Sequence, residues 1–379
     1  MYFFISLILA VLAFIEFYFY KRYLCRLFLV LCAGFLFFVL LGFNSFSPDL
    51  DYYKLHFEDL DQEYIRYTIE PFILFLMETS KNYGLTFEGY QIVFSLLTFS
   101  LFLYSIFKYS PFPLFVLLNF YFIPFFPDIT QIRFFLGFAV FLFSLQFFYK
   151  KKWFFYFFMV IAILCHLSMI MMLLFLLLRN FEFFKNQFKS NIIIILGVSI
   201  LVFIPKSIVN PILAFINPKL LIYAESEMAG TFAGTVILFL PFFLINNGIL
   251  YFHNKYSDEY YPILKEKYAR NIQVFIDLIQ FSNFLVLFQY FIRDFSRINQ
   301  NINVIAVIYL SLIAYIYIIK KNIPKAKFIL LGGILCNLIL YYIQFLMVNN
   351  FQYFEIINQT FTSNHLFDLI ANIFNFDNL

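Results

Sequence analysis

Charge is what this chain has little of. Only 13% of its 379 residues are Asp, Glu, Lys or Arg, about half the share found in a typical soluble domain. Hydrophobic residues make up 63% of the chain and aromatic residues 24%. A globule of this length could not cover its surface with so few charges, and a disordered chain would be poor in aromatic residues. The composition therefore excludes both classes and predicts a polytopic membrane protein.

Cysteine is also scarce, and its placement excludes two further classes. The four cysteines lie far apart within apolar runs, so we predict neither a disulfide framework nor a zinc motif. We interpret them as small apolar packing residues. The net charge of +4 is too small to indicate nucleic-acid binding. The chain also lacks a P-loop, a paired-carboxylate glycosidase pattern and a metal-ligand cluster, so we expect no metal and no cofactor.

Apolar segments that could cross a bilayer, which takes about 17–25 residues, follow one another along the whole chain. They are 2–19, 24–43, 90–107, 112–127, 132–148, 153–178, 191–205, 231–252, 271–291, 302–319 and 328–347. We therefore predict an all-α polytopic membrane helical bundle, a single domain over residues 1–379 with about 11–12 crossings. The first apolar run has no basic leader, which favours a retained span over a cleaved signal peptide.

The distribution of Lys and Arg predicts which loops face the cytoplasm, because short basic loops stay inside. The long run 153–178 is decisive. If it turns as a hairpin at Cys165-His166-Leu167-Ser168, most of the 26 Lys and Arg residues fall inside. A single crossing would instead place the basic segments 179–189 and 253–270 outside. We favour the hairpin, or a partly re-entrant pair. The outer parts are then the acidic loop 44–89 with its amphipathic helix, the loop 206–230, the tail 349–379 and both termini.

Three arginines and one histidine are candidates for anion chemistry, because polar groups at membrane depth mark functional sites by default. His166 is either a buried histidine bonded to a carbonyl, or a general base or phosphate ligand at a water-exposed tip. Arg133 is a snorkelling interfacial residue, a partner of Asp128 or an anion ligand. Arg293 and Arg297 lie four residues apart on one helical face. They either form an ion pair with Asp294 at a solvated rim or bind a diphosphate.

Acidic and aromatic residues of the first outer loop could hold sugar hydroxyls. Asp49 and Asp51 form a DxD pattern, which is a weak signal on the outer side. Glu70-Pro71 is either a plain helix start or a carboxylate that holds a sugar hydroxyl or orients an arginine. Tyr52 is a possible stacking platform for a sugar ring.

Five features in this order resemble the EpsG family, a branch of the bacterial Wzy-type polysaccharide polymerases. They are Asp49-Leu50-Asp51-Tyr52-Tyr53, Glu70-Pro71, Ile132-Arg133, Leu164-Cys165-His166-Leu167-Ser168 and Arg297-Ile298. The resemblance covers roughly residues 45–320. The family commonly has Gln directly after the equivalent of Arg133, where Phe134 stands here and Gln131 precedes it. It often has Tyr-Phe four residues after the late arginine, where this chain has Asn301-Ile302.

The resemblance implies a metal-independent, lipid-linked glycosyltransferase of the GT-C-type glycosyltransferase/ligase architecture in the bacterial cytoplasmic membrane. Such proteins join undecaprenyl-diphosphate-linked oligosaccharide repeats on the outer face, into O-antigen, capsule or exopolysaccharide. An acceptor hydroxyl attacks the anomeric carbon of the donor, and undecaprenyl diphosphate leaves. The implied partners are this donor and acceptor, membrane lipid, a chain-length regulator and a repeat-unit flippase, with no nucleic acid.

The resemblance also assigns roles to the candidate residues. Arg133, Arg293 and Arg297 would neutralise the diphosphate, and His166 would act as base or second phosphate contact. Asp49, Asp51 and Glu70 would position sugar hydroxyls, one of them acting as base if His166 does not, while Tyr52 and Gln131 complete the substrate site. The alternative functions are a flippase or transporter of a lipid-linked saccharide, which should show repeat symmetry or paired broken helices, and another transferase that modifies surface glycan.

Overall fold

The structure is a computed structural model in which residues 2–47, 49–201, 211, 232–264, 266–289, 295–343, 359–360 and 362–366 are described. These residues are helical apart from turns, short loops and one isolated β-bridge. Five helices are long and apolar enough to cross a membrane: Tyr23–Gly42, Phe87–Tyr109, Asn271–Phe288, Ser296–Ile319 and Ile323–Tyr341. Six shorter apolar helices accompany them. The predicted all-α multi-pass membrane fold is confirmed, whereas the number of crossings stays a prediction.

The chain forms two compact units, residues 1–170 with 349–379 and residues 171–348. The single domain over 1–379 stays a prediction. The helices of the first unit are α1 Tyr2–Phe19, α2 Tyr23–Gly42, α3 Leu50–Glu58, α4 Glu63–Thr68, α5 Pro71–Asn82, α6 Phe87–Tyr109, α7 Pro113–Phe122, α8 Phe125–Thr130, α9 Ile132–Ser144 and α10 Lys152–Cys165. Short 3-10 turns follow at Leu145–Phe147 and Leu167–Ile170.

The core of the first unit is built from aromatic side chains on α2, α6, α7 and α9. α2 packs on α6, α6 on α9, and α9 on α10. All ten residues of α7 are buried, as expected for a helix that is apolar on every side. Phe37, Phe99, Phe102, Phe120 and Phe135 meet there at ring-centroid distances of 4.5–5.9 Å.

Two predicted spans are interrupted. The span 112–127 divides into α7 and α8, because Pro124 offers no backbone N–H and disfavours helical geometry at the residue before it. Ile123 is accordingly extended, with φ −150° and ψ 125°. The run 153–178 breaks at His166, which is extended with φ −157° and ψ 123°. The break falls on the residues predicted for the hairpin turn, whereas the reversal of direction stays a prediction.

Basic residues of the first unit gather at one end of its helices. Arg26 at the start of α2 donates to the carbonyl oxygen of Ser110 at 3.4 Å, and Lys108 at the end of α6 contacts Gln146 after α9. At the other end, Asn364 of the C-terminal segment pairs with Asn44 and donates to Val39 at 2.9 Å. The described part of the tail therefore lies beside the start of the acidic loop, at the end away from the basic residues.

The helices of the second unit are α11 Met171–Leu178, α12 Glu182–Lys185, α13 Gln187–Leu201, α14 Phe232–Tyr260, α15 Glu266–Phe284, α16 Val286–Gln289, α17 Phe295–Ile319 and α18 Ile323–Tyr341. α17 packs between α15 and α18, and α14 packs on α15 and α17. The loop 206–230 and Arg293 lie outside the described residues, except for residue 211.

The second unit also has a basic end. Gln187 at the start of α13 accepts a hydrogen bond from Asn254 near the end of α14 at 3.1 Å. Lys320, after α17, pairs with Glu259 of α14 at 2.9 Å. The described parts of the basic segments 179–189 and 253–270 and the lysines around 320 therefore lie at the same end of this unit. Arg297, in the first turn of α17, lies at the opposite end of that helix from Lys320.

Candidate functional site

An ion pair between Glu70 and Arg133 forms the centre of the candidate site. Glu70 precedes Pro71, which occupies the first position of α5, and its side chain makes no capping hydrogen bond. Instead, Nη1 of Arg133 donates to Oε2 of Glu70 at 2.5 Å. Arg133 stands in the first turn of α9, 63 residues away in sequence. The two side chains are only 14% and 16% exposed, so little solvent screens the pair.

Two tyrosines of α3 cover the Arg133 guanidinium. Its carbon lies 5.1 Å from the ring centroid of Tyr53 and 5.9 Å from that of Tyr52, within cation–π range. Tyr53 is buried and Tyr52 is 43% exposed. Burial raises the pKa of Tyr53 to about 12 against the opposing effect of Arg133. Its hydroxyl is therefore protonated at neutral pH and can donate a hydrogen bond. We call Tyr52, Tyr53, Glu70 and Arg133 the Arg133 cluster.

Polar atoms without partners lie in and beside the Arg133 cluster. Nε of Arg133, Oε1 of Gln131 and the hydroxyl of Tyr90 are buried and have no hydrogen-bond partner among the described residues. Gln131 directly precedes α9, and Tyr90 is within electrostatic range of Arg133 and Tyr53. Buried polar groups are nearly always satisfied, so such atoms close together indicate a place where water or a ligand binds.

His166 lies at the end of α10 and contacts the residue next to Arg133. Its ring meets that of Phe134 edge-on, at a centroid distance of 5.4 Å. Nδ1 of His166 contacts the hydroxyl of Ser168 at 2.7 Å and accepts the backbone N–H of Ser168 at 3.3 Å. Because a backbone N–H can only donate, Nδ1 accepts and the neutral ring carries its proton on Nε2. With its proton on Nε2, the neutral His166 ring donates at that nitrogen and cannot remove a proton there.

Gly137 brings α9 and α10 close enough for this contact. A Cβ atom at this position would lie 3.1 Å from the carbonyl oxygen of Ala162 and 3.1 Å from Cγ of Met169. The absence of a side chain therefore allows the end of α10 to pack against the first turns of α9. Cys165, beside His166, consequently lies within electrostatic range of Glu70.

The two aspartates of the DxD pattern have different surroundings. Asp49 precedes α3 without capping it, is half-buried and lies within electrostatic range of Tyr53. Asp51 is exposed in the first turn of α3. Asp49 therefore belongs to the surroundings of the Arg133 cluster, while Asp51 faces solvent.

The late arginines belong to the second unit. Arg297 is half-buried near the start of α17, where its carbonyl oxygen accepts the Asn301 side chain at 3.2 Å. Arg293 lies outside the described residues. The predicted joining of these arginines with Arg133 and His166 in one site stays a prediction.

Sequence reasoning missed several polar residues. Tyr90 was hidden among many aromatic residues. In the second unit, Asn246 donates to Ser282 and Asn283 at 3.1 Å each, and Ser282 contacts Asn299. These side chains lie in apolar spans, so the rule that polar groups at membrane depth are costly could have found them. Among the described residues, no group of three or more His, Cys, Asp or Glu could hold a metal ion.

The helices define a multi-pass membrane protein in which a charged, aromatic-lined cluster lies at the ends of apolar helices. The model of the EpsG family matches residues 26–358, so the chain belongs to the EpsG family. This is the family of Wzy-type polysaccharide polymerase-like proteins, and membership supports a polysaccharide polymerase-like function in the membrane. No curated protein and no solved structure matches the chain significantly.

Proposed function

We propose that this protein polymerises undecaprenyl-diphosphate-linked oligosaccharide repeats into surface polysaccharide, by metal-independent glycosyl transfer at the outer face of the bacterial cytoplasmic membrane. Membership of the EpsG family supports the reaction class. The observation that carries the site is the Arg133–Glu70 pair, with Nε of Arg133 buried and unpartnered among the described residues. An arginine held by one carboxylate and still offering a donor is suited to an anionic leaving group.

The cluster can support glycosyl transfer through charge and orientation. The acceptor oxygen attacks the anomeric carbon, and the bond from that carbon to the diphosphate oxygen breaks. Arg133 stabilises the charge that develops on the diphosphate, and Glu70 fixes the direction of its guanidinium. The Nε2 proton of His166 makes a second contact to that anion. Gln131 and Tyr52 then contact the sugars, and the acceptor proton passes to a carboxylate of the outer loop.

Asp49 is our choice for that carboxylate. It is half-buried beside Tyr53, whereas Asp51 is exposed and Glu70 is engaged by Arg133. A base must lie within reach of the proton that it removes, and Asp49 lies within electrostatic range of Tyr53 of the cluster. Asp51 would hold a more distant sugar.

The orientation rests on charge. In the first unit, the Arg133 cluster and the C-terminal segment lie at the end of the helices opposite Arg26 and Lys108. Because basic ends stay cytoplasmic, the cluster would face outward, where lipid-linked repeats are joined. A chain-length regulator and a repeat-unit flippase would act beside it.

A flippase of a lipid-linked saccharide is the second candidate. The interruptions between α7 and α8 and at His166 favour it, since discontinuous helices are common in transporters. The two functions predict different products in a deletion strain. Loss of a polymerase leaves single repeats on the cell surface, whereas loss of a flippase removes surface repeats and leaves them lipid-linked inside.

The test is a surface-polysaccharide gel on a deletion strain complemented with wild type, Arg133→Ala, His166→Ala or Lys151→Gln, all at matched expression. Lys151→Gln is the control, because Lys151 is stacked on Phe154 at 5.5 Å at the basic end. We expect the deletion and Arg133→Ala to lose the long chains but keep single repeats, and the control to restore the ladder. An intact ladder in the deletion strain would refute the polymerase, and a normal ladder from both site variants would refute the site.

A further inference from the structure

An apolar crevice in the second unit is separate from the candidate site. It lies between α14, α17 and α18 and has a volume of about 350 Å³, which is within the usual range for ligand sites. Its walls are almost entirely hydrocarbon and aromatic side chains, and Phe252 and Phe328 at its rim are 57% and 76% exposed.

Two glycines widen the crevice because they have no side chain to fill it. Gly248 on α14 and Gly332 on α18 both line it, and a Cβ atom built on either would meet nothing within 4 Å. The residues that α18 contributes run from Lys325 to Asn337, a length of about 18 Å at helical rise. This exceeds half the hydrocarbon thickness of a bilayer, about 15 Å. The crevice therefore has the depth of one lipid leaflet.

The two ends of the crevice differ in chemistry. The deep end, between the middles of the helices, carries Asn303 and Asn337, which are buried and hydrogen-bonded to each other at 2.5 Å. At the open end of the crevice, Nζ of Lys325 lies 4.3 Å from the ring centroid of Tyr317 and 5.4 Å from that of Tyr256. Glu259 lies within electrostatic range of Lys325 and is paired with Lys320 at 2.9 Å. A lysine packed against two aromatic rings thus lies at the open end of the apolar crevice.

We propose that this crevice binds an anionic membrane lipid, with an acyl chain between α14 and α18 and its phosphate headgroup on Lys325. Charge complementarity favours this occupant, because a lipid without net charge gains less from the lysine, and a free phosphate would leave the apolar walls empty. Basic pockets between membrane helices bind such headgroups. The lysine-rich end is the one predicted to be cytoplasmic, so the lipid would come from the inner leaflet. This site is independent of the proposed polymerase activity.

The test is native mass spectrometry of the delipidated full-length protein, titrated with phosphatidylglycerol or with phosphatidylcholine of the same acyl chains. We expect phosphatidylglycerol to bind about fivefold more tightly, the contribution of one lysine near a headgroup. Lys325→Gln should remove that preference and leave phosphatidylcholine binding unchanged. Lys151→Gln is the control, a lysine likewise stacked on an aromatic ring but in the first unit.

Filling the slot gives a second test. Gly248→Leu with Gly332→Leu should abolish binding of both lipids at this site, and each change raises helix propensity, so folding is retained, as size-exclusion chromatography will check. Glycerol phosphate, which has no acyl chain, should not compete. Equal affinity for the two lipids, an unaltered preference in Lys325→Gln, binding retained by the leucine variant, or competition by glycerol phosphate would each overturn the proposal.

Discussion

Two well-buried arginine–carboxylate pairs, one from each unit, are similar as contacts. Arg133 meets Glu70 at 2.5 Å with side-chain exposures of 16% and 14%, and Arg179 meets Asp277 at 2.9 Å with exposures of 16% and 10%. Their surroundings differ. The second oxygen of Asp277 accepts Gln273 at 2.9 Å, and Arg179 lies 5.7 Å from the ring of Phe175. Arg133 instead lies over the rings of Tyr52 and Tyr53, and buried polar atoms of Gln131 and Tyr90 beside the cluster have no partner among the described residues. The geometry of a pair therefore does not identify an anion site, and it is the polar and aromatic groups around Arg133 that distinguish the first pair from the second.

The largest expected difference between the two pairs is in the rate of polymerisation. Arg133→Lys keeps a positive charge but loses the planar donor fork, so we expect polymerisation of a lipid-linked repeat in proteoliposomes to slow by about 10²–10³-fold. Arg179→Lys, the matched change at the other pair, should stay within about threefold of wild type. Equal losses in the two variants would show that the pairs do not differ in function.

The second pair should instead have a large effect on the free energy of unfolding. Asp277→Ala leaves Arg179 without its buried counter-ion and should lower the free energy of unfolding by about 3 kcal/mol, measured by chemical denaturation in detergent. Lys320→Gln is the control within the same unit, because it breaks an exposed pair with Glu259 and should cost less than about 1 kcal/mol. A stable Asp277→Ala variant would contradict a structural role for the second pair.

The role of His166 can be sharpened with two variants. If Nε2 donates a hydrogen bond, His166→Gln keeps an N–H donor and should retain activity within about tenfold, while His166→Ala should lose about 10²-fold. The pH–rate profile of the Gln variant should also match that of wild type. A Gln variant as inactive as the Ala variant, with the acidic limb of the profile lost, would instead identify His166 as the base.

The smallest expected effect concerns Tyr53. Its pKa is about 12 in the folded protein against 10.0 as the ordinary value. The raised pKa means that its stabilising contribution is complete below pH 10 and is lost as pH rises from 10 to 12. Tyr53→Phe keeps the ring on Arg133 and should reduce activity less than about fivefold.

The melting temperatures of wild type and Tyr53→Phe should therefore diverge between pH 10 and 12, with wild type losing more stability. The other tyrosines are common to both proteins, so the difference reports on this hydroxyl. Parallel pH curves would show that Tyr53 is not buried as a phenol beside Arg133.

The sequence alone determined the class of fold and indicated the region of the candidate site. Apolar length and scarcity of charge are local quantities, so the multi-pass helical fold and the break at His166 could be predicted from them. The order of Glu70, Arg133 and His166 along the chain likewise led to the EpsG family. The helix break at Pro124 could also have been predicted from the proline, but the apolar residues on both sides of it indicated one continuous span, 112–127.

Only the tertiary structure decided which groups meet. Glu70 could have been a plain helix start, and Arg133 could have paired with Asp128. The choice of partner depended on contacts across 63 residues of sequence, which no local pattern contains. The close approach of α9 and α10 at Gly137, and the crevice opened by Gly248 and Gly332, depend on the same condition. The effect of a glycine on packing can be assessed only when the helix that faces it is known.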